Sequence, residues 1–361
     1  MIESRNRNYV IVADCAIDQI LLPSAEQYKT IAQAVQEAEK AETDPTQLDE
    51  ARARAMHRMA TRLGVTIEPT YGGPVFNLAQ YLRARDQQVS VVSVIGTNPE
   101  SGQYRGALEK LGVNTKFLLT REGKMPKSVY MYRSPTEQMQ AWRGHVSDRA
   151  YTSQSDMYKD FLNLHGVMIF SCTNPVVAAH SLREFKNVLA YNPGPLFGYM
   201  DFEKTKFAEI VRRAHILSTN ASEADAIKKA MGLKLMVDLF TDNQSLEYII
   251  TTNGAEGSVL HKRGEAKSHV YDPAESSWNI RPSEIKDDIG AGDAYFATAV
   301  ALIMNDTAPM DILINATMAA QQSLRFRGGT DPRLINPDAS TTAFHAVKKV
   351  DTNGGAHGQG Y

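Results

Sequence analysis

A chain of 361 residues with 43% hydrophobic and 22% charged residues has the composition of a globular protein able to bury a sizeable core. Its net charge of −2, with both signs dispersed, gives no electrostatic footprint for nucleic acid, and its two cysteines, Cys15 and Cys172, provide neither a disulfide framework nor a CxxC zinc site. No run of about 18 apolar residues occurs and the first eight residues are polar and charged, so the expectation is a cytoplasmic protein with no membrane partner.

The first apolar run, 9–13, predicts a short strand, continued after a polar break by 17–22. Residues 24–64 are rich in Ala, Glu, Gln, Lys and Arg and predict two helices near 25–41 and 46–63, with Asp44 as a turn or cap ahead of Pro45. A strand at 65–71 then leads through Gly72-Gly73-Pro74 into a helix carrying Phe76, Leu78, Ala79 and Leu82. Strands at 89–95, 113–119 and 128–132 follow, with a helix over 101–111. Short apolar runs at 167–172, 188–191, 214–218 and 248–252 alternate with helical patterns, the spacing of βαβ units and a mainly parallel sheet. Residues 258–261 and 266–271 read as a hairpin, and helices near 294–304 and 311–326 close the domain. The Gly-rich polar end, 353–361, is predicted to be disordered.

Residues 287 to 293 read Asp-Asp-Ile-Gly-Ala-Gly-Asp and run straight into an apolar, Ala-rich segment of helical character. A Gly-x-Gly turn before a helix leaves the N–H groups of Gly290, Ala291 and Gly292 without intrahelical partners. Together with the helix dipole they make an anion site. Asp293 stands at the same end. A carboxylate beside an anion makes sense as a base that takes a proton while the site stabilises charge on a transferring group. Alone, the run also reads as an Asp capping an ordinary helix.

This run resembles the Asp-Thr-x-Gly-Ala-Gly-Asp signature of the ribokinase/PfkB family of carbohydrate and nucleoside kinases. The resemblance implies a ribokinase-like three-layer α/β/α domain with a mainly parallel sheet and a smaller lid. It makes Asp293 the catalytic base for the acceptor hydroxyl, and Gly290, Ala291 and Gly292 the anion hole for the γ-phosphate of ATP. Asp288 departs from the pattern, standing where Thr is usual; this extra carboxylate either binds a cation or points away.

Other segments resemble the same family in the same order. Gly72-Gly73-Pro74-Val75-Phe76-Asn77-Leu78-Ala79 resembles its Gly-Gly-x-x-x-Asn-x-Ala motif, and Ala13-Asp14-Cys15-Ala16-Ile17-Asp18 a segment ending in an acceptor-binding Asp, with Ala13 in place of a common Gly. By resemblance Asp18, Gly73 and Asn77 bind acceptor hydroxyls; read alone, Gly-Gly then Asn is a loop and helix start. Ile95-Gly96, Gly102 and Leu111-Gly112-Val113 resemble a stretch that supports the fold, with Asn98 where an Asp is usual. Asn220-Ala221-Ser222-Glu223 resembles the family's Asn-x-x-Glu, which implies that Glu223, supported by Asn220, holds Mg²⁺ mostly through water. The same spacing is also that of a plain capping box. Thr252-Asn253-Gly254-Ala255-Glu256-Gly257 resembles the Thr-x-Gly-x-x-Gly turn at the nucleotide site, which assigns Thr252, Gly254 and Gly257 to ATP. Arg325-Phe326-Arg327-Gly328-Gly329 resembles the turn closing the adenine pocket, and with Asp287 it would frame a monovalent cation such as K⁺. The chain contains no GxxxxGK[ST], so a P-loop is excluded.

The implied organisation is one catalytic domain over 1–350, with a lid from about 18–73 and part of 113–135, and a tail at 351–361. The helical insertion 24–64 resembles the lid of adenosine kinases more than the short β-lid of sugar kinases, which tilts the expected acceptor towards a nucleoside over a free sugar. Tyr71 or Phe76 could stack on a base, although both residue types are common in cores. Arg133, with Ser134, could reach the γ-phosphate or be an exposed strand arginine. The stripe Ile31, Val35 and Ala38 could pack on the lobe or on a second copy in a homodimer, and periodicity does not separate the two. A catalytically silent ligand-binding or interaction protein on the same fold is the reading from another class, and the intact Asp293 and Gly290–Gly292 speak against it.

Overall fold

A computed structural model describes residues 7–44, 47–134, 137–143, 166–172, 188–194, 204–275 and 280–329. The tail expected at 351–361, and Pro45, lie outside the described residues.

The main sheet is built on strand β1 (Asn8–Ala13), whose side chains alternate between two covered faces. Tyr9, Ile11 and Ala13 enter one apolar cluster while Val10 and Val12 enter another. Around it stand β4 (Gln88–Ile95), β5 (Asn114–Thr120), β8 (Val167–Ser171), β9 (Val188–Asn192), β10 (Ile216–Asn220), β11 (Tyr248–Thr252), β12 (Ser258–Lys262) and β13 (His269–Tyr271). Their order is β13-β12-β11-β10-β9-β8-β1-β4-β5, parallel from β11 to β5. The hairpin read at 258–271 is the antiparallel pair β12–β13, and β12 is antiparallel to β11 as well.

On one face lie α3 (Gly73–Arg83), α4 (Pro99–Lys110), α8 (Ala291–Ile303) and α9 (Pro309–Ser323); on the other α5 (Lys204–Val211), α6 (Ala221–Met231) and the single turn α7 (Leu239–Asp242). Helix α8 is apolar nearly all round because it is buried between α3, α9 and the sheet.

The second sheet is the lid. Its strands are β2 (Ala16–Leu21), β3 (Ile67–Gly72), β6 (Lys127–Ser134) and β7 (Glu137–Arg143), in the order β3-β2-β6-β7. Strand β7 is absent from the sequence reading. It is an edge strand whose Gln138 and Gln140 alternate with Met139 and Ala141, so its apolar signal is too short to stand out.

Helices α1 (Ala25–Ala41) and α2 (Leu48–Arg62) cover the outer face of this sheet. A capping box starts α1: Ser24 Oγ accepts from the Gln27 amide and the Gln27 side chain accepts from the Ser24 amide. Of the two readings of Asp44, the turn is the one observed: the Gln47 amide donates to the Asp44 carbonyl at 3.0 Å. Ile31 and Val35 pack with Met56, Ala60, Leu21, Val129, Met131 and Ala141, with Ala38 against the same cluster. The apolar stripe left open by periodicity therefore belongs to the lid itself and is not exposed to a second copy. Ile31→Ala is expected to lower the unfolding free energy by about 2–5 kcal/mol. The urea midpoint should fall by the same amount at every protein concentration; a midpoint that tracks concentration would contradict this packing.

Candidate active site

The parallel strands end in register. Ala13 pairs with Ser171, Ser171 with Asn192, and Asn220 with Thr252, so Asp14, Cys172, Asn220 and Thr252 line one edge of the sheet. Carboxyl ends of parallel strands form the usual ligand crevice of open α/β sheets.

The signature loop closes over this edge. Helix α8 begins at Ala291, three residues earlier than expected, so Asp293 sits inside its first turn. Gly290 is the cap, with φ +75°, and a Cβ there would lie 3.0 Å from both Asn77 Nδ2 and the Gly329 Cα. One expectation needs correction: the Ala291 amide is not unpaired but donates to the Asp288 carbonyl at 3.3 Å, because the chain closes a turn before the helix starts. The amides of Gly290 and Gly292 have no protein partner among the described residues, which leaves two donors and the helix dipole at this end.

Asp293 is partly buried and held on both oxygens. Asn77 Nδ2 donates to Oδ2 at 3.0 Å and Ser171 Oγ donates to Oδ1 at 3.4 Å. Burial pushes its carboxyl up to about 6, and the two donors oppose that rise. Asp18, on β2, is 1% exposed and neither of its oxygens makes a hydrogen bond of good geometry. Burial first, and then the charges of Asp287 and Asp293, hold its carboxyl well above the usual range, opposed by the Ser128 hydroxyl beside it on β6. Asn77 is equally enclosed and its Oδ1 has no partner either. Three buried acceptor atoms thus face one place without a hydrogen bond of good geometry, a costly arrangement unless a ligand brings hydroxyls.

Glycines make the approach possible. A Cβ on Gly72 would fall 1.9 Å from Asp18 Oδ2. Gly73, at φ +73°, lets α3 start against the backbone of Asp14 and Ala16, where a Cβ would meet atoms at 2.7 and 2.8 Å.

The residues assigned to the nucleotide end lie further along the same edge. Asn220 caps α6 and forms the full capping box with Glu223, whose two oxygens accept from the Asn220 amide at 3.0 Å and its Nδ2 at 2.9 Å. Glu223 is buried and its carboxyl is raised by that burial. Among the described residues no group of three or more His, Cys, Asp or Glu side chains could hold a metal. Thr252 ends β11 and donates to the Thr219 carbonyl at 3.4 Å. Gly254 opens a tight turn at φ +54°, and Gly257, at φ +97°, passes so close to Tyr271 that a Cβ would lie 2.0 Å from its carbonyl oxygen.

Asp287 is fully buried, with Oδ1 accepting from the Ile289 amide at 3.1 Å and Oδ2 from the Gly328 amide at 2.8 Å. It ties the signature loop to the turn at Arg327–Gly329. Asp288 is exposed, and one of its oxygens accepts from Gln138 Nε2 of the lid at 3.0 Å. Arg133 is exposed on the lid and paired with Glu137 at 2.8 Å, not gathered with Asp18, Asn77 and Asp293. Phe76 is fully buried in the main core, stacked on Tyr71 and edge-on to Tyr104, so it is closed to a base; Tyr71 packs against the same core.

Several site residues escaped the sequence reading. Gln80, one turn beyond Asn77 on α3, donates to the Gly329 carbonyl at 2.7 Å. Ser171 ends β8. Tyr130 and Tyr132 alternate along β6 on the face shared with Ile20 and Ile289, and the Tyr132 hydroxyl is buried without a partner. The period-2 alternation of Ser128, Tyr130 and Tyr132 is the signal that could have found them.

A parallel α/β sheet carrying a carboxylate beside a helix-start anion site, with a small sheet folded over it, is the ribokinase-like architecture of phosphotransferases that act on alcohols. The chain belongs to the pfkB family of carbohydrate kinases, whose pattern it matches over residues 43–335. It is 24% identical over 234 residues to a nucleoside kinase from Methanothermobacter thermautotrophicus, covering 63% of this chain and 69% of that one. Its fold is similar to an adenosine kinase from Schistosoma mansoni, solved in complex with 2-fluoroadenosine (TM-score 0.69, 16% identity, 90% of this chain and 96% of that one). It is also similar to a ribokinase from Thermotoga maritima (TM-score 0.65, 14% identity, 92% and 98%). No helix among the described residues is long and apolar enough to cross a membrane.

Burial raises the Asp287 carboxyl from 3.8 to about 7. Between these values the folded state holds more protons than the unfolded chain, so stability falls as pH rises. The ligand-free protein is expected to lose thermal stability from about pH 4 through about pH 7, and Asp287→Asn should flatten that decline. An unchanged slope in Asp287→Asn would show that the group titrates normally.

Proposed function

We propose that this kinase transfers the γ-phosphoryl group of ATP to a primary hydroxyl of a nucleoside. The observation that carries the reading is the meeting of Asp293, in the first turn of α8 beside the Gly290 and Gly292 amides, with the unpartnered acceptors of Asp18 and Asn77. Hydroxyls of the acceptor donate to Asp18 and Asn77, which turns the remaining hydroxyl towards Asp293. That carboxylate removes the hydroxyl proton as its oxygen bonds to phosphorus and the bond to ADP breaks. The two amides and the helix dipole stabilise the charge on the phosphoryl oxygens.

Mg²⁺, when it accompanies the nucleotide, neutralises phosphate charge and keeps much of its water shell. The lack of a three-ligand cluster among the described residues fits an ion carried by phosphates and water, with Glu223 and Asn220 as the protein side. Thr252, Gly254 and Gly257 offer the small turn along which the nucleotide would lie. Asp287 and the turn at Arg327–Gly329 are the place for K⁺, a counter-charge for a carboxylate with only backbone donors.

The helices covering the lid support the nucleoside over the free sugar, since they let the lid sheet turn its whole inner face, with Tyr130 and Tyr132, to a larger acceptor. A nucleoside kinase and an adenosine kinase among similar proteins support the same choice.

ADP release should be measured with ATP and Mg²⁺ over nucleosides, ribose, fructose, other hexoses and 2-keto-3-deoxy acids. Turnover is expected with a nucleoside, and Asp293→Asn should reduce it by about 10²–10⁴-fold with the fold intact. Turnover with free sugars alone would overturn the acceptor assignment, and near wild-type turnover in Asp293→Asn would overturn the base.

A further inference from the structure

Ser171 has no part in any motif that points to the chemistry, yet it is placed with care. It is the last residue of β8, fully buried, and held from both sides by its pairing with Ala13 and Asn192. The chain leaves it abruptly: Cys172 adopts a left-handed φ of 48° and its amide donates to the Asn192 carbonyl at 3.1 Å. Gly194 makes room for this corner, since a Cβ there would lie 2.1 Å from the Cys172 sulfur. The result is a hydroxyl fixed at the edge of the sheet, 3.4 Å from Asp293 Oδ1.

A carboxyl group turns about a broad, roughly two-fold torsion, so a single hydrogen bond leaves its plane loosely set. Asn77 Nδ2 supplies one donor, from α3, to Oδ2. We infer that Ser171 is a positioning residue for the base: from β8 its hydroxyl fixes the second oxygen of Asp293, so that the carboxylate plane faces the acceptor hydroxyl and its charged form is favoured. The inference rests on the reading of Asp293 as the base. The proton of Ser171 stays on Oγ throughout, and the proton taken from the acceptor goes to Asp293. Hydrogen bonds in ligand-free sites are often long and shorten in the reacting complex, which suits a 3.4 Å contact.

The charged and titratable groups facing Asp293 are Asp18 from β2, Tyr130 from β6 and Cys172 beyond β8. Removing the Ser171 hydroxyl leaves Asp18 and Tyr130 untouched; it also takes a donor at 3.9 Å from Cys172 Sγ, whose thiol burial already holds well above its usual range. Loss of a donor to the charged form then raises the Asp293 carboxyl above its present value of about 6.

The test needs no substrate for its first readout. The Asp293 carboxyl is titrated by infrared difference spectroscopy in the wild type and in Ser171→Ala, each against the same protein carrying Asp293→Asn. The midpoint is expected to move to higher pH in Ser171→Ala and to return in Ser171→Thr. With an acceptor from the turnover panel, the acid limb of kcat/KM should move the same way, with kcat down about tenfold at neutral pH and the acceptor KM little changed. An unmoved Asp293 midpoint in folded Ser171→Ala, or a loss confined to KM, would overturn the positioning role. Activity retained in Asp293→Asn would instead remove the base assignment, and the two failures are read from different variants.

Discussion

Three carboxyl groups, Asp18, Asp287 and Asp293, are withdrawn from water where the two sheets meet, with Asp18 within electrostatic reach of the other two. Like charges at short range and low dielectric oppose folding, and each member of this group meets that cost differently. Asp287 accepts two backbone amides and becomes a structural tie. Asp293 accepts two side chains from different elements and stays partly open. Asp18 has only the Ser128 hydroxyl beside it, without a hydrogen bond of good geometry. The arrangement leaves Asp18 the least satisfied of the three, and it is the member proposed to meet the acceptor. Gly72 follows from the same constraint, because a Cβ there would fall on the Asp18 carboxyl, while Gly290 leaves room for Asn77, a donor to Asp293.

The lid works because its two faces differ. Apolar side chains on the outer face are sealed by α1 and α2, which lets the inner face carry Asp18, Ser128, Tyr130 and Gln138. The lid meets the main domain through two polar contacts, Glu68 with Arg327 at 2.8 Å and Gln138 with Asp288 at 3.0 Å, and through apolar ones, Ile17 and Tyr71 at the main core and Ile20, Tyr130 and Tyr132 against Ile289. Pairs as exposed as Glu68 and Arg327 contribute about 0–1 kcal/mol, so the apolar contacts do most to hold the lid in place. An acceptor that supplies hydroxyls to Asp18 and Asn77 adds differential binding to the closed form.

Much of this was legible in the sequence. The alternation of short apolar runs with helical patterns gave the parallel sheet, since β1 and its neighbours are covered on both faces and read as continuous runs. The Gly-x-Gly before an apolar helix led to the anion site, and the order of Asp18, Gly73, Asn77 and Asp293 to a single crevice. What the sequence hid was pairing in space. Nothing local shows that Ala291 spends its amide on Asp288, that Phe76 turns into the core, or that Asp288 meets Gln138 from a strand as polar as β7. Ser171 and Gln80 were hidden for the same reason: each is an ordinary polar residue whose role lies in a partner more than a hundred positions away.

The most direct test of this account is calorimetric binding of adenosine, inosine and ribose to the ligand-free protein, each against its analogue lacking the vicinal hydroxyls. Asp18 and the Asn77 carbonyl oxygen are buried acceptors without a hydrogen bond of good geometry, and a site built to take hydroxyls rejects a ligand that lacks them. The account predicts that whichever parent compound binds, its deoxygenated analogue loses binding by orders of magnitude. Equal binding of the two would mean that Asp18 and Asn77 do not hold the acceptor, and the crevice would have to be read anew.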